Sequence, residues 1–400
     1  MRLRTYESFW LLKNGLLYSY PSAQQNLTTD TVVLGGGITG ALISDALISE
    51  GYKVLLLDKN DIASGSTAAT TSMLQYEIDV PLYQLSNKIG EEAAATCYQC
   101  GIDAILELEA LVKQRKIDCG FQKKDSLFFA HTAAASKSLY KEFEARKKHR
   151  LGVKWLSAAA IKKLYGIKSH GGILSETAAS VDAYKLAHEL IRSNTQKGLQ
   201  VYDQVDIKKI HHNDKGILIE LVNGCSIKSK KIIYCTGYET VRMFRKPVAD
   251  LHSTFACVSE QGILINEKLN RLLVWNTRNP YLYLRTTDDG RLLVGGADSK
   301  YTSATYLQKN KEQKSKDLMK QLQEAMPGIH FINDINWAGI FGSTKDGLPY
   351  IGPHPDFKNS FFVLGFGGNG ITFSVQGRKI ITDLLQDQPN ELASFYRFDR

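Results

Sequence analysis

The feature that most constrains this chain is a glycine fingerprint set between two predicted strands. Residues 31–34 (Thr-Val-Val-Leu) form a short β-branched and apolar run, the pattern of a buried strand. Gly35-x-Gly37-x-x-Gly40 follows at once, and residues 41–49 carry a helical pattern. Residues 53–57 predict a second strand, closed by Asp58. Gly35 permits the tight turn, Gly37 lets the backbone approach a pyrophosphate, and Gly40 lets the helix lie close on the strand. The amides of Gly37, Ile38 and Thr39 then face phosphate oxygens at a helix start, where the dipole favours negative charge. Asp58 is placed to accept hydrogen bonds from an adenosine ribose, and its carboxylate would repel a 2′-phosphate. A glycine-rich turn without a ligand is the competing reading. The ordered succession of strand, glycines, helix, strand and acid argues for a bound dinucleotide instead.

A second glycine-rich segment, residues 361–372, ends in Gly365-Phe366-Gly367-Gly368-Asn369-Gly370-Ile371-Thr372. FAD is long enough to need both ends of a chain, so the pair of segments points to that dinucleotide. Gly367, Gly368 and Gly370 let the backbone lie against a flat ring system. A helix predicted from about Thr372 to Leu385 would turn its N-terminal amides towards the flavin, where reduction places negative charge.

The 400 residues predict two domains. The 43% hydrophobic and 23% charged content is that of an ordinary globular protein. No window approaches the roughly 18 apolar residues of a membrane span. Lys13-Asn14-Gly15 interrupts the apolar Phe9-Trp10-Leu11-Leu12, so no signal-peptide core forms and a cytoplasmic location is expected. Residues 8–20 read as a lead-in packed on the dinucleotide domain. The net charge of +9 gathers at 141–150, 228–231 and 309–320. These runs read as solvated faces. No nucleic-acid module accompanies them, so a nucleic-acid partner is not expected. Six cysteines show no disulfide framework. Cys97 and Cys100 lie one turn apart on a predicted helix, 91–113, without the second pair that a metal site would want, and read as packed thiols.

Residues 61–71 are rich in small and hydroxyl side chains and suit backbone running close to a cofactor. Residues 83–165 read as mostly helical with a β excursion at 126–130, and 178–191 as a helix. Strand patterns follow at 199–205, 206–211, 216–221 and 225–227, then at 232–235, which ends in Thr236-Gly237. Residues 281–285 and 291–296 flank Asp288-Asp289-Gly290, a hairpin signal, and a charged helix is predicted over 306–326.

In this order the motifs resemble the D-amino-acid-oxidase superfamily of FAD-dependent oxidoreductases, nearest its glycine oxidase, sarcosine oxidase and gamma-glutamylputrescine oxidase branch. The matching pieces are residues 35–58, Gly65-Ser66-Thr67, 180–186, 235–237, 283–296, Trp337-Ala338-Gly339, 344–352 and 365–372. The resemblance implies an α/β protein: a Rossmann-like FAD-binding domain with a second α+β substrate domain built on an antiparallel sheet. It implies a discontinuous FAD domain (28–90, 175–250, 336–400) and a substrate domain (91–174, 251–335). Its cofactor contacts map onto Gly35, Gly37, Ile38, Thr39, Gly40, Asp58, Lys59, Ser64, Ser66, Thr67, Val205, Thr236, Gly237 and Gly339. Gly367, Gly368, Asn369, Gly370, Ile371 and Thr372 complete the set.

The chain departs from the family at its substrate positions. Phe341 and Gly368 stand where glycine oxidases place arginines, and Asn369 and Thr372 where sarcosine oxidases place His and Lys. The residues that attach flavin covalently in relatives are absent around 339–342 and at Ala69, so the expected FAD is non-covalent. Leu293 takes the place of an oxygen-activating lysine. Tyr281, Tyr283 and Arg285 are the candidate substrate contacts, with a structural or flavin-contacting salt bridge as the plainer role for Arg285. His252 and His354 read as ordinary loop histidines. The expected activity is oxidation of a C–N bond in a small amine or amino acid. The electron acceptor would be oxygen or a quinone or other carrier. An enzyme acting on a modified tRNA base and a flavin-binding protein without turnover are the alternatives.

Overall fold

The computed structural model describes residues 3–263 and 265–400. Two mixed sheets organise them. The first has eight strands, and its main path runs Tyr350–His354, Phe357–Leu364, Ser226–Tyr234, Leu27–Leu34, Val54–Leu57, Gln200–Tyr202. The links from Phe357–Leu364 to Gln200–Tyr202 are all parallel. Alternate side chains sort to opposite faces, as a two-residue period requires. Val33, Leu56, Ile233 and Val363 join the core beneath the helices, while Val32, Leu55, Ile232 and Phe362 fill the other face. The helices Ile38–Ser49, Ala183–Thr195 and Gly370–Leu385 pack side by side over the first of these faces.

The second sheet has nine strands, with a main path Asn333–Ser343, Asp250–Ser259, Leu292–Ser299, Leu282–Thr286, Leu272–Asn276, Gln122–Phe129, Gly172–Ser180, Met73–Leu74. Its pairings are antiparallel except one: Leu272–Asn276 runs parallel to Gln122–Phe129. The helix Ala304–Ala325 covers this sheet through Leu307, Leu318 and Leu322.

Several sequence expectations are redrawn. Residues 178–180 are the end of the strand Gly172–Ser180, and the helix begins only at Ala183, where the Asp182 carboxylate accepts from the Lys185 amide. Pairing of Ala178 and Ala179 with Lys124 and Lys123 outweighs the helical preference of alanine. The patterns at 225–227 and 232–235 are one strand, Ser226–Tyr234. The C-terminal helix starts at Gly370, two residues before the expected Thr372. The helix Glu91–Arg115 falls in the segment assigned to the second domain. It packs instead on Gly370–Leu385, buries Ala94, Cys97 and Leu108 in the first core, and sends Arg115 to Asp45.

The N-terminal stretch binds both halves. Ile340 N–H donates to Leu3 O and Thr5 N–H to Ala338 O, so this stretch extends the edge of the second sheet. The helix Phe9–Asn14 then buries Phe9 and Trp10, the latter donating its indole N–H to Thr70 O at 2.6 Å.

Candidate active site

A cavity of about 960 Å³ lies between the two sheets. Its first wall is the glycine turn. Gly37 starts the helix Ile38–Ser49 without a side-chain cap of its own; Thr67 takes the Ile38 amide, and the next amides of the turn are left for a ligand. Gly40 shows why this turn tolerates no side chain, for a Cβ there would sit 1.8 Å from Gly35 O. The Thr67 hydroxyl accepts from the Ile38 amide at 3.0 Å, and the Thr39 and Ser374 hydroxyls bond at 2.7 Å. These two contacts tie the turn to the 61–71 segment and to the C-terminal helix. The Asp58 carboxylate accepts from the Gly36 amide at 2.6 Å and the Asn60 amide at 2.9 Å. Burial pushes this carboxyl up to about 6, against the pull of those two amides. Lys59 reaches Glu239 at 2.7 Å, and Val205, Thr236 and Gly237 extend this end of the cavity.

The second wall is the loop 365–371. The Asn369 side-chain amide donates to Glu77 O at 2.8 Å and to Gln75 O at 3.1 Å, which fixes the loop against residues 75–77. The Gly368 amide donates to Asp79 Oδ2 at 3.1 Å. Gly367, Gly368, Asn369, Gly370 and Ile371 all line the cavity, as does Gly339 from the second sheet.

The third wall belongs to the second sheet and is largely aromatic: Phe128, Trp275, Tyr281, Tyr283, Phe341 and His252, with Thr254 and Asp298 between them. Tyr283 lies flat over Gly295, where a Cβ would fall 2.4 Å from its hydroxyl oxygen. The Tyr281 and Tyr283 rings are 5.6 Å apart. Burial raises both phenols, so they stand as neutral O–H groups.

Gly35, Gly37, Ile38, Thr39, Asp58, Lys59, Ser66, Thr67 and Tyr283 also border the cavity, while four other named residues do not. Gly40 lies beneath the turn and acts through packing. The Ser64 carbonyl accepts from Arg4 Nε at 2.6 Å, outside the lining. The Thr372 hydroxyl turns back to Asn369 O at 2.9 Å. Arg285 is the largest correction. It is 2% exposed and donates to Thr71 O, Thr286 O and Val181 O, at 2.7, 3.0 and 3.3 Å. With Trp10 stacked 5.4 Å from its guanidinium, it joins the N-terminal helix to the second sheet and touches no ligand space.

His252 is corrected in the opposite direction. It sits on Asp250–Ser259, borders the cavity beside Phe341, and bonds Ser343 Oγ at 3.0 Å. His354 packs edge-on or tilted among Phe244, Phe362 and Phe398, away from it. Asp79 and Asp298 were not singled out by sequence, since each is a lone acid without a local signature. Among the described residues, no group of three or more His, Cys, Asp or Glu could hold a metal ion.

The residues present fit FAD. The turn offers amides at a helix start, Asp58 offers a carboxylate acceptor at the far end, and the Ser66 hydroxyl borders the cavity with no protein partner. Comparison with known proteins agrees. The chain is 25% identical over 402 residues to a Bacillus subtilis protein (YhfW) provisionally described as a Rieske 2Fe-2S iron-sulfur protein, covering 98% of this chain and 75% of that one. It is 22% identical to the glycine oxidase of Geobacillus kaustophilus, covering 92% and 96% of the two chains. The crystal structure of glycine oxidase from that organism shares the fold with a TM-score of 0.77 at 19% identity, over 94% of this chain and 100% of that one. The family model for FAD-dependent oxidoreductases (DAO) spans residues 30–384, and the chain belongs to that family: it is an enzyme, and FAD is its cofactor.

Proposed function

We propose that this enzyme oxidises the C–N bond of a small amine or amino acid to an imine, which water then hydrolyses. When bound, FAD supplies the acceptor for the hydride that leaves the substrate carbon. The turn amides and Asp58 hold the nucleotide end of the cofactor. The loop 365–371 and Gly339 border its ring end. The start of Gly370–Leu385 sets a positive dipole end there, which favours the added negative charge of reduction. The aromatic wall of Tyr281, Tyr283, Trp275 and Phe341 keeps bulk water out and orients the substrate, which converts binding into proximity. The tyrosine hydroxyls stay protonated and serve as hydrogen-bond donors. The FAD is held without a covalent link, since Ala69 and residues 339–342 carry neither Cys nor His. Oxygen or a quinone or protein carrier takes the electrons away.

The observation that carries this reading is the aromatic chamber facing the glycine loops across one cavity. The names of the relatives support it: glycine oxidase, and gamma-glutamylputrescine oxidoreductase from Escherichia coli at 22% identity. The test is anaerobic mixing of the yellow holoenzyme with a panel of amines and amino acids. Rapid bleaching by one member, with an aldehyde or keto product, is expected. A flavin that dithionite reduces but no amine bleaches would overturn the proposal.

A further inference from the structure

The chamber is charged in an unusual way for a site that would bind a carboxylate. Three acids border it between the aromatic wall and the 365–371 loop: Glu77, Asp79 and Asp298. Glu77 has a cation of its own, Arg146, 3.4 Å away in a buried pair. Asp79 bonds only the Gly368 amide, and no ion pair forms on it among the described residues. Asp298 Oδ1 is buried without a hydrogen-bond partner. Burial raises both carboxyls, and the Asp79 charge raises Asp298 further. For Asp298 the Thr254 hydroxyl and the Lys314 ammonium offset part of this rise.

The cations bordering the same cavity are engaged elsewhere. Lys59 pairs with Glu239 beside Asp58, Arg278 pairs with Glu324, and His252 bonds Ser343. The chamber thus offers one carboxylate without an ion pair, Asp79, and a second, Asp298, that Lys314 offsets only in part, with the aromatic rings of Tyr281 and Tyr283 beside Asp298. Ring faces and carboxylates together attract ammonium ions and repel carboxylates.

We infer that the substrate is recognised through an ammonium group held by Asp298 and Asp79, and that it carries no α-carboxylate. This rests on the chamber being the amine-oxidising site and narrows its substrate to cationic amines, such as a diamine that keeps one nitrogen protonated while the other reacts. The ammonium supplies the counter-charge that Asp79 lacks and that Lys314 gives Asp298 only in part.

The test is a binding titration of the oxidised holoenzyme, read from the visible flavin spectrum, so it needs no turnover. The probes are butylammonium, diaminobutane and butyrate, with anaerobic conditions for the amines. Saturable spectral shifts are expected with both ammonium probes and none with butyrate. Asp298→Asn and Asp79→Asn should each weaken ammonium binding by about tenfold or more, as loss of a charge-assisted bond does, with FAD content unchanged. The inference falls if butyrate binds and the ammonium probes do not, if no probe binds, or if both variants bind ammonium as the parent does. Should ammonium bind through these acids while no amine bleaches the flavin, the proposed oxidation falls and the recognition mode stands.

Discussion

Replacing Gly40 by alanine tests the cofactor cradle at its tightest point. The added Cβ would lie 1.8 Å from Gly35 O, whereas real Cβ atoms do not come within 3.0 Å, so helix or turn must give by at least about 1.2 Å. Neither yields easily. Gly35 N–H is tied to Leu57 O at 2.8 Å, and the helix Ile38–Ser49 is wedged against Ala183–Thr195 and Gly370–Leu385. Overpacking of this kind costs about 1–3 kcal/mol, and the upper end applies to backbone against backbone. At about 2.1 cal/mol/K of unfolding entropy per residue, roughly 3 kcal/mol over 400 residues lowers Tm by roughly 4 °C. The same shift misaligns the amides that meet the pyrophosphate. Two charge-assisted bonds at about 1.5 kcal/mol each correspond to a loss of roughly a hundredfold in FAD affinity. The assay is the ratio of flavin to protein absorbance after gel filtration, with a thermal melt alongside. Gly198→Ala is the control, since a Cβ there meets nothing within 4 Å and only the positive φ is strained. Gly40→Ala protein that keeps stoichiometric FAD and the parent Tm would refute the reasoning.

Asp58 makes the apoprotein sensitive to pH. Its carboxyl moves from 3.8 to about 6 on folding, so the folded chain holds the proton more tightly. Apoprotein stability from this group is therefore full below about pH 4 and declines as pH rises to 6, by roughly 3 kcal/mol at about 1.4 kcal/mol per tenfold. Melts of apoprotein across that range should show the slope, Asp58→Asn should flatten it, and FAD should bind more tightly above pH 6 than below. Arg285→Ala should lower Tm through three stranded carbonyls, and Arg285 variants that still fold should keep the parent KM, because the side chain faces no ligand. Burial pushes the Cys97 and Cys100 thiols up to about 12 and 11. Thiol reagents at pH 8 should label them slowly in native protein and rapidly in urea, and Cys100→Ser should leave activity unchanged.

What the sequence disclosed was what local chemistry encodes. The fingerprint from Gly35 to Asp58 is contiguous, each glycine answers a steric demand, and strand, turn and helix follow in order. The hairpin over Asp288-Asp289-Gly290 was equally plain, and Tyr283 pairs with Gly295 across it. Long-range placement was hidden. Ala178 and Ala179 look helical until two neighbouring strands take them. Arg285 looked like a ligand for an anion because its strand neighbours Tyr281 and Tyr283 point that way, yet alternation along a strand was no guide to the space that Thr71 and Val181 already fill. His252, Asp79 and Asp298 meet only because distant segments fold together, and a single acid or histidine on a strand or loop announces nothing.

The cradle draws on residues 35–39, 58–67, 205–207, 235–239 and 339–371. A nascent chain leaving the ribosome has its phosphate turn about 330 residues before its flavin loop. The parallel strand Phe357–Leu364, which sits beside Ser226–Tyr234, arrives equally late. The full cradle can thus close around FAD only after both of these late segments have docked on the early ones.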